Sequence, residues 1–329
     1  MEEMNELTAE ERARILQHEL EAVYGSSSYK IGRAVTWLPR HAKKALAYLA
    51  HNGPAISAKY LYTYAKYHKI ANKDYAYWAC LQKKDYPEAL KKWFLEMNYT
   101  HQPLDLEHPK TFSEKTQWLK LYGHLDEQRD LVDKYRVRDW IREKVGEEYL
   151  IPLLGVWDRF DEIDFDKLPD RFVLKTNHGA GWNYIVQDKS KLDKADAKAK
   201  FDLWTKLNFT YYQGGLELQY EHIQPKIIAE QFIENDGGDL YDYKLCCFDG
   251  EPKVIIYIMN RYVDADERII CFDTDWNVLP FNLFTPLEQP DDIPRPKNLE
   301  KMVEVARTLS QGIPFVRVDL YALNDGTIK

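Results

Sequence analysis

The sequence predicts an α/β (α+β) protein of more than one domain, in which an α-helical N-terminal region precedes mixed helices and antiparallel strands. Its 329 residues are 45% apolar and 14% aromatic, which is enough to fill more than one core. Helical patterns dominate the first third of the chain. Short strand-like runs bounded by turn residues dominate the last third.

The chain is predicted to divide into four regions. Residues 101–109 contain prolines and polar residues, a composition typical of a boundary after a helical region. The regions are an α-helical N-terminal region (1–100), a mainly helical segment (101–167), a small α/β unit (168–233) and a unit of antiparallel strand pairs (234–329).

Individual elements are predicted inside the last three regions. Helices are predicted around 111–122 and 127–145, from about Asp193, and over about 296–311. Aspartate turns at 249–250 and 273–275 are expected to close strand pairs.

Composition argues against several classes of protein. The acidic start of the chain lacks the basic and apolar segments of a signal peptide, so export is not expected and a cytoplasmic location is. The longest strongly apolar run, residues 254–259, is far too short to cross a bilayer. Nucleic-acid binding is not expected at a net charge of −8. The cysteines show no metal-ligand spacing and are expected to be reduced and structural: Cys80, Cys246, Cys247 and Cys271.

Residues 172–183 join an apolar strand that ends in a lysine to a loop with two glycines. Glycine lets the backbone approach an anion closely and turn its N–H groups toward it, and Lys175 supplies a point charge. The pattern is typical of phosphate binding, although many glycine pairs mark ordinary turns. The alternative for Lys175 is a solvated strand cap, and Trp182 is expected to pack rather than to form a substrate platform.

Other motifs lie before and after this loop, and their order along the chain is characteristic. They are a charged helical pattern (131–141), a strand ending in Glu-x-Phe-Ile (227–233), a hairpin opened by Asp-Tyr-Lys (242–244) and a buried strand with alternate charges (315–321). Together with residues 111–115 and 118–122, this succession resembles the TupA-like branch of the ATP-grasp superfamily over roughly residues 105–329. The resemblance implies an ATP-grasp fold after the helical N-terminal region. It also implies a role in teichuronopeptide or other surface-polysaccharide synthesis.

The same resemblance implies ATP and Mg²⁺ as cofactors. Lys134 and Lys175 would reach the phosphates from two directions, the loop 177–183 would close over them, and the adenine would lie at the strand exit. The residues implied to bind the nucleotide are Lys134, Lys175, Asn177, His178, Gly179, Gly181, Glu230, Phe232, Ile233 and Asp242. As alternatives, Glu230 is the solvated end of its strand and Lys134 is one charge of a highly charged helix. His178 is expected to donate a hydrogen bond rather than to act as a base.

Catalysis and metal binding are implied at the last strand and the preceding hairpin. Asp319 is implied to bind Mg²⁺, with Arg317 on the same strand face near the charge that develops on an acyl phosphate. Lys244 resembles a basic residue of glutamate-adding ATP-grasp ligases, oriented by Asp242. A carboxylate within an apolar strand is unfavourable unless it is paired or bound to metal, so an ion pair with Arg317 is the alternative role for Asp319.

The C-terminal end departs from the family pattern. Residues 324–326 predict a hairpin turn after the last strand, and three residues follow it. In ATP-grasp enzymes the return strand carries a second acidic metal ligand, which this sequence lacks. We expect truncation before this strand, because an unpaired edge strand at a core is rare. The alternative is loss of part of the magnesium site.

Residues 26–72 contain eight Lys and Arg residues and no Asp or Glu, in contrast to the net negative charge of the chain. Apolar and aromatic residues such as Trp37 lie between them, which predicts a basic amphipathic face. Two interpretations stay open: binding to an anionic membrane surface at its inner face, or a helical hairpin that docks on the enzyme or on polysaccharide-assembly proteins. A separate opening helix is predicted over residues 1–23.

These features predict an ATP-dependent carboxylate–amine ligase with an acyl-phosphate intermediate. The resemblance implies a glycan or uronic acid carboxylate and an amine as its substrates. Two other classes stay open. A glycosyltransferase would use Asp273 and Asp275 as a metal-binding Asp-x-Asp, although this motif falls where an exposed turn is expected. A non-enzymatic assembly protein would keep the fold without the chemistry.

Overall fold

The computed structural model describes residues 75–97, 102–212, 215–234, 240–259, 268–282 and 293–329. The chain divides into two compact units, Met1–Gln82 and Lys83–Lys329. The predicted opening helix and the basic stretch 26–72 lie outside the described residues. The first unit contains one described helix, α1 (Tyr75–Cys80).

The second unit contains both helices and antiparallel strands, which confirms the predicted α/β (α+β) class. Its helices are α2 (Tyr86–Met97), α3 (Phe112–Tyr122), α4 (Arg129–Val132), α5 (Val137–Lys144), α6 (Lys194–Trp204), α7 (Phe209–Tyr212) and α8 (Leu299–Ser310). Its strands are β1 (Leu153–Trp157), β2 (Phe172–Thr176), β3 (Asn183–Val186), β4 (Ile227–Gln231), β5 (Asp242–Phe248), β6 (Glu251–Met259), β7 (Arg268–Phe272) and β8 (Phe315–Tyr321).

Helix α3 begins at a capping box, as predicted for a helix over residues 111–122. The Thr111 hydroxyl accepts a hydrogen bond from the Glu114 backbone N–H at 3.2 Å, and the Glu114 carboxylate accepts one from the Thr111 backbone N–H at 2.8 Å. Two backbone donors that a helix start leaves unpaired are therefore satisfied. The helix ends before Gly123, whose N–H donates to the Leu119 carbonyl at 2.8 Å.

The prediction of one continuous helix over 127–145 is wrong, because the chain leaves the helical conformation at Asp133. This residue has extended backbone, with ψ of 107°. Its carboxylate accepts hydrogen bonds from the Tyr135 and Arg136 backbone N–H groups at 2.9 and 3.2 Å. An aspartate in this position competes with the helix and satisfies backbone donors of the turn that leads into α5. Lys134 therefore projects from a turn between two helices.

The first sheet has the strand order β1–β4–β2–β3, with antiparallel neighbours. Phe172 and Leu174 point from one face toward α6, where they share a core with Phe201. Asp193 starts that helix as predicted, because its side chain accepts hydrogen bonds from the backbone N–H groups of the first turn. Lys175 points to the opposite face, since side chains alternate along a strand.

The second sheet has the order β7–β6–β5–β8, also antiparallel. Helix α8 covers one face and forms the largest core, to which Leu245, Val318 and Leu320 contribute. The charged residues of β8 lie on the other face, as the alternating pattern predicts. A two-residue turn at Asp249 and Gly250, both with positive φ, joins β5 to β6 and confirms the predicted hairpin.

The four cysteines are buried free thiols, which confirms their structural interpretation. Cys246 and Cys247 belong to different buried clusters, on opposite faces of β5. Among the described residues, no helix combines the length and apolar character that a membrane span requires.

The predicted hairpin after β8 is present. Gly326 has φ of +96° and its N–H donates to the Leu323 carbonyl at 3.0 Å. The chain then returns, and Ala322 pairs with Ile328 in an antiparallel bridge. Ile328 is buried in the core beneath α8, so the return segment is part of the packed structure.

Helix α3 is fixed to the small α/β unit by Lys120, whose side chain is 7% exposed. The ammonium group donates to the Gly215 carbonyl at 2.7 Å and pairs with the Glu217 carboxylate at 2.9 Å. It also lies 5.3 Å from the centre of the Trp93 ring, on α2. Because a buried cation is stable only when it is paired, these contacts determine which face of α3 points inward.

Candidate functional site

A cleft of about 920 Å³ lies along the face of the first sheet opposite α6. Val173, Lys175 and Glu230 form part of its wall, and the segment 231–234 after β4 forms an edge. Tyr321, at the end of β8, lines the same cleft. The cleft is therefore bounded by residues of both sheets, and its size suits a ligand as large as a nucleotide.

Glu230 lies in the cleft wall and is 7% exposed, so the alternative of a solvated strand end is wrong. Its carboxylate pairs with Lys175 at 2.7 Å and with Arg138 at 3.3 Å. Arg138, on α5, also donates to the Ile151 carbonyl at 2.7 Å. These contacts fix the position of the carboxylate and favour a role for Glu230 in positioning Lys175.

Lys134 lies beside this cluster. Its backbone N–H donates to the Asn177 carbonyl at 3.0 Å, and its ammonium donates to the Gly179 carbonyl. Burial, followed by the nearby charge of Lys175, lowers the pKa of Lys134 to about 8. The two lysines predicted to reach one anion from different elements are thus brought together.

The glycine loop connects β2 to β3 and requires backbone conformations that glycine favours. Gly179 has φ of +96° and Gly181 has φ of +73°. A Cβ atom at Gly179 would lie 2.6 Å from the Phe209 ring, whereas a Cβ at Gly181 would meet no atom within 4 Å. Gly179 is therefore constrained by packing as well as by backbone angle, and Gly181 lies at the open side of the loop.

Asn177 was expected to cover a nucleotide, but its side chain points into the protein. The amide nitrogen donates to the Asp133 carboxylate and to the Gln224 carbonyl, each at 3.0 Å. The amide oxygen accepts from the Lys226 backbone N–H at 2.6 Å. A buried amide is stable when its donors and acceptors are satisfied, and this one ties the loop to the start of the α4–α5 turn.

His178 also points inward, which corrects the expectation that it covers the nucleotide. Its Nε2 lies 3.2 Å from the Leu207 carbonyl, which only accepts, so Nε2 carries the proton. Its Nδ1 has no hydrogen-bond partner in the described part of the chain. Burial lowers the pKa of His178 to about 4, so the ring is neutral at pH 7.

Trp182 packs in an aromatic cluster and is 5% exposed, which confirms the packing interpretation. Edge contacts of 5.2–5.3 Å join its ring to those of His178, Phe209 and Tyr212, and it stacks on Trp204 at 6.4 Å. This cluster packs against the glycine loop at Gly179.

Phe232 and Ile233 line the cleft where the chain leaves β4, as their predicted roles require. Arg171 and Glu234 form a two-bond ion pair at 2.6 and 2.7 Å beside them. The Arg171 guanidinium lies 5.2 Å from the centre of the Phe232 ring. Both charged groups are half exposed, so the pair contributes mainly to orientation and little to stability.

A second charged cluster lies on the open face of the second sheet. Arg317 holds the Asp319 carboxylate with two hydrogen bonds of 2.7 and 2.9 Å, and Lys244 holds it at 3.0 Å. Lys244 also lies 3.5 Å from the buried Asp242 carboxylate. Enclosure by protein opposes ionisation of Asp319, but the hydrogen bonds from Arg317 and Lys244 outweigh it and keep the pKa of Asp319 below its usual value.

The strand β8 connects this cluster to the cleft. Tyr321 lines the cleft, and Asp319 and Arg317 precede it on the same face at two-residue spacing. Each such step is about 7 Å along a strand. The four residues predicted here, including Lys244 and Asp242, therefore form one group next to the cleft.

A magnesium ion held by protein alone does not fit these residues, because the described residues include no group of three or more His, Cys, Asp or Glu side chains placed for a metal. The Asp319 carboxylate forms the ion pair with Arg317 that its alternative role predicts, and 42% of the side chain stays exposed. One carboxylate fits an ion held mainly by phosphate oxygens, which is the usual coordination of Mg²⁺ beside a nucleotide.

Asp273 acts as a turn residue. Its carboxylate accepts hydrogen bonds from the Asp275 and Asn277 backbone N–H groups at 2.9 and 2.8 Å, and from the Asn277 amide at 2.9 Å. These contacts account for the Asp-x-Asp as the turn that the sequence predicts.

Sequence reasoning did not single out Arg138, Arg171 or Tyr321. Arg138 lies in a segment with many charges, and none of its neighbours marks it as buried. Arg171 and Tyr321 stand at strand ends, where polar residues are common. Only the tertiary structure brings Arg171 and Tyr321 to the cleft and pairs Arg138 with Glu230.

Residues 114–328, well over half of the chain, match the model of a family described as TupA-like ATPgrasp. No curated protein matches the chain significantly.

Several solved structures share similarity with this chain. D-alanine–D-alanine ligase from Bacillus anthracis has 16% identity and a TM-score of 0.31, covering 64% of this chain and 56% of that one. The ATP-grasp ligase PsnB, complexed with minimal precursor, Mg and ADP, has 12% identity and a TM-score of 0.32, covering 76% and 64%. The macrocyclase MdnC from Microcystis aeruginosa, bound with precursor peptide MdnA, has 8% identity and a TM-score of 0.29, covering 68% and 63%. This chain spans less than two thirds of the length of each structure.

The buried neutral His178 predicts a pH-dependent stability. Its pKa is lowered on folding, so its contribution is fully present above pH 6.5 and is lost as pH falls through about 4. Between these values the free energy of unfolding should fall by up to about 1.4 kcal/mol per pH unit from this residue. The free energy of unfolding, measured with urea at pH 7, 6 and 5, should fall less steeply with decreasing pH for His178→Gln than for the wild type. Equal slopes would contradict the assignment.

Proposed function

Because this chain belongs to the TupA-like ATP-grasp family, we propose that it is an ATP-dependent carboxylate–amine ligase that works through an acyl phosphate. The observation that carries the proposal is a group of cations beside the cleft. Lys175 lines the cleft and pairs with the buried Glu230, which also pairs with Arg138. The Lys134 ammonium lies near Lys175, whose charge adds to burial in lowering the pKa of Lys134. The phosphates of ATP would pair with Lys175 and Lys134.

The same contacts suggest how ATP would lie. Its phosphates would approach Lys134 and Lys175 beside the glycine loop, where Gly181 leaves the backbone accessible. Glu230 would hold Lys175 in position. The adenine would contact the backbone of Phe232 and Ile233 at the edge of the cleft.

The proposed reaction has two steps. A carboxylate oxygen of the substrate forms a bond to the γ-phosphorus while the bond to ADP breaks. An amine nitrogen then attacks the acyl carbon, inorganic phosphate leaves, and the amine gives up a proton. In the first step negative charge develops on the ADP oxygen that leaves, and in the second it develops on the phosphate that leaves. We expect Arg317 and Lys244 to neutralise the charge of the phosphoryl group. Bound Mg²⁺, with Asp319 as its protein ligand, would add to this neutralisation.

For substrates we propose a uronic acid carboxyl of a nucleotide-linked or lipid-linked glycan and the amine of an amino acid or amino sugar. The support is the association of this family with surface polysaccharides, together with the half-exposed Arg317 as a cation for a carboxylate. A location at the inner face of the membrane would suit a lipid-linked substrate. The basic stretch 26–72 would provide the attachment, directly to anionic lipid or through polysaccharide-assembly proteins.

The membrane proposal predicts binding of the full chain to vesicles that contain phosphatidylglycerol. Because the attraction is screened beyond about 8–10 Å near physiological salt, binding should weaken as salt rises. Deleting residues 26–50 should abolish co-sedimentation with the vesicles. Binding that ignores salt, or that survives the deletion, would rule out this attachment.

The nucleotide proposal predicts that Lys175→Met weakens ATP binding roughly tenfold or more, because a charge-assisted hydrogen bond is lost. The Kd for ATP with Mg²⁺ would be measured by calorimetry, and Tm without nucleotide would show that the variant folds. Lys167→Met is the matched control, since its side chain is 85% exposed and lies in a solvent ion pair. Unchanged affinity in a folded Lys175→Met variant would remove Lys175 from the site.

The reaction type predicts different effects for two aspartates. Asp319→Asn should lower kcat/KM for ADP formation about 100-fold or more, equivalent to about 3 kcal/mol, because developing phosphate charge loses a partner. Asp273→Asn should have little effect. Both variants would be assayed with pooled uronic acids and amino acids for ADP, and with nucleotide sugars for released nucleoside diphosphate. Activity on nucleotide sugars that requires Asp273 and not Asp319 would support a glycosyltransferase instead.

A further inference from the structure

One face of helix α3 carries three exposed aromatic rings for which the proposed reaction has no role. Phe112, Trp118 and Tyr122 are 49%, 37% and 45% exposed. Trp118 and Tyr122 contact each other, with ring centres 5.3 Å apart. Large apolar side chains that cluster at the surface mark sites of interaction more often than isolated ones do.

The orientation of this face follows from the contacts on the opposite side of the helix. Gln117 and Lys120 are buried, and Lys120 is bound to Gly215 and Glu217. The helix therefore cannot turn its aromatic side inward without breaking a buried ion pair. The aromatic side therefore stays at the surface, where clustered rings are available to a ligand.

The aromatic face is continuous with the face of the second sheet that carries Asp319. The Phe112 ring lies 5.2 Å from that of Phe315 and 5.9 Å from that of Phe248. Phe315 precedes Arg317 and Asp319 on the same face of β8, in steps of about 7 Å. A ligand on the helix therefore has a continuous surface toward the charged cluster.

Lys115 and Arg317 supply positive charge at two points of this surface, and Asp319 is paired with Arg317 and Lys244. Lys115 lies at the centre of the aromatic face, because Phe112, Trp118 and Tyr122 stand three before, three after and seven after it. It is exposed and forms no ion pair within the described residues. Arg317 lies at the far end. Aromatic rings that alternate with cations fit a chain with apolar faces and regular negative charges, and a polyuronate has both: the C–H faces of its sugar rings and its carboxylates.

We propose that the outer face of α3 binds the extended part of an anionic glycan acceptor, of the polyuronate class, and leads one of its carboxylates toward Arg317 and Asp319. Trp118 and Tyr122 stack on sugar rings, and Lys115 pairs with a carboxylate between them. The acceptor role rests on the proposed ligase function. The binding surface itself is tested without the reaction.

The experiment measures binding of galacturonate and glucuronate oligomers of about seven units, and of the monomers, to the full chain by calorimetry. Oligomers should bind more tightly than monomers. The double variant Trp118→Ala/Tyr122→Ala should weaken oligomer binding about tenfold or more and leave monomer binding unchanged. Lys115→Met should reduce the dependence of oligomer binding on salt, because one screened charge pair is removed. Trp118→Tyr, which keeps a ring, should restore most of the affinity lost in Trp118→Ala.

Tyr135→Ala is the matched control, since its ring is 39% exposed and lies on neither this helix nor the second sheet. All substituted side chains are exposed, so urea unfolding should be unchanged. The proposal is overturned if no uronate oligomer binds, if the double variant binds oligomers as the wild type does, or if a polyglutamate peptide of equal length binds better with the same dependence on Trp118. ATP binding that depends on Lys175 would persist in each of these cases, so failure here is distinguishable from failure of the ligase proposal.

Discussion

The carboxylate of Glu230 is buried in the cleft wall, and a buried charge is several kcal/mol unfavourable unless it is paired. Its partners come from separate parts of the chain, since Arg138 lies on α5 and Lys175 on β2. The pairing therefore holds the helical segment before the first sheet against two of its central strands. It also places Lys175 in the cleft wall with two further cations, Arg138 and Lys134, close by. A structural requirement and a preference for anions thus have one physical origin.

Strand alternation separates packing from chemistry in both sheets. Each sheet buries one face in a core that includes α6 or α8. The other face of the first sheet lines the cleft, and the other face of the second carries a smaller apolar cluster beside the charged group around Asp319. Because side chains alternate with a period of two, each strand serves both purposes without a break in pairing. Helix α3 likewise has one side for packing and another that faces solvent, set by the helical period. Lys120 anchors its inner side, and its aromatic outer side stays available.

The sequence by itself determined the features that depend on local spacing. The charges at alternate positions in residues 315–321 place Arg317 and Asp319 on one face of a strand whatever packs on the other. Asp249 and Gly250 specify a tight hairpin because both adopt positive φ readily. The glycine loop after Lys175 and the opposed directions of Cys246 and Cys247 follow from equally local rules. The order of these segments was also sufficient to indicate the family.

Only the tertiary structure decided which polar groups face the cleft and which face inward. Asn177 and His178 belong to the glycine loop, but their partners, Asp133 and Leu207, lie 44 and 29 residues away in sequence. Arg138 became a site residue because the chain leaves its helix at Asp133 and directs α5 at Glu230. A hydrogen bond or ion pair between distant residues has no periodic signature, since its energy depends on burial and geometry that folding creates. Local spacing therefore predicts which side chains share a face of a strand or helix, and contacts between distant residues decide what each face binds.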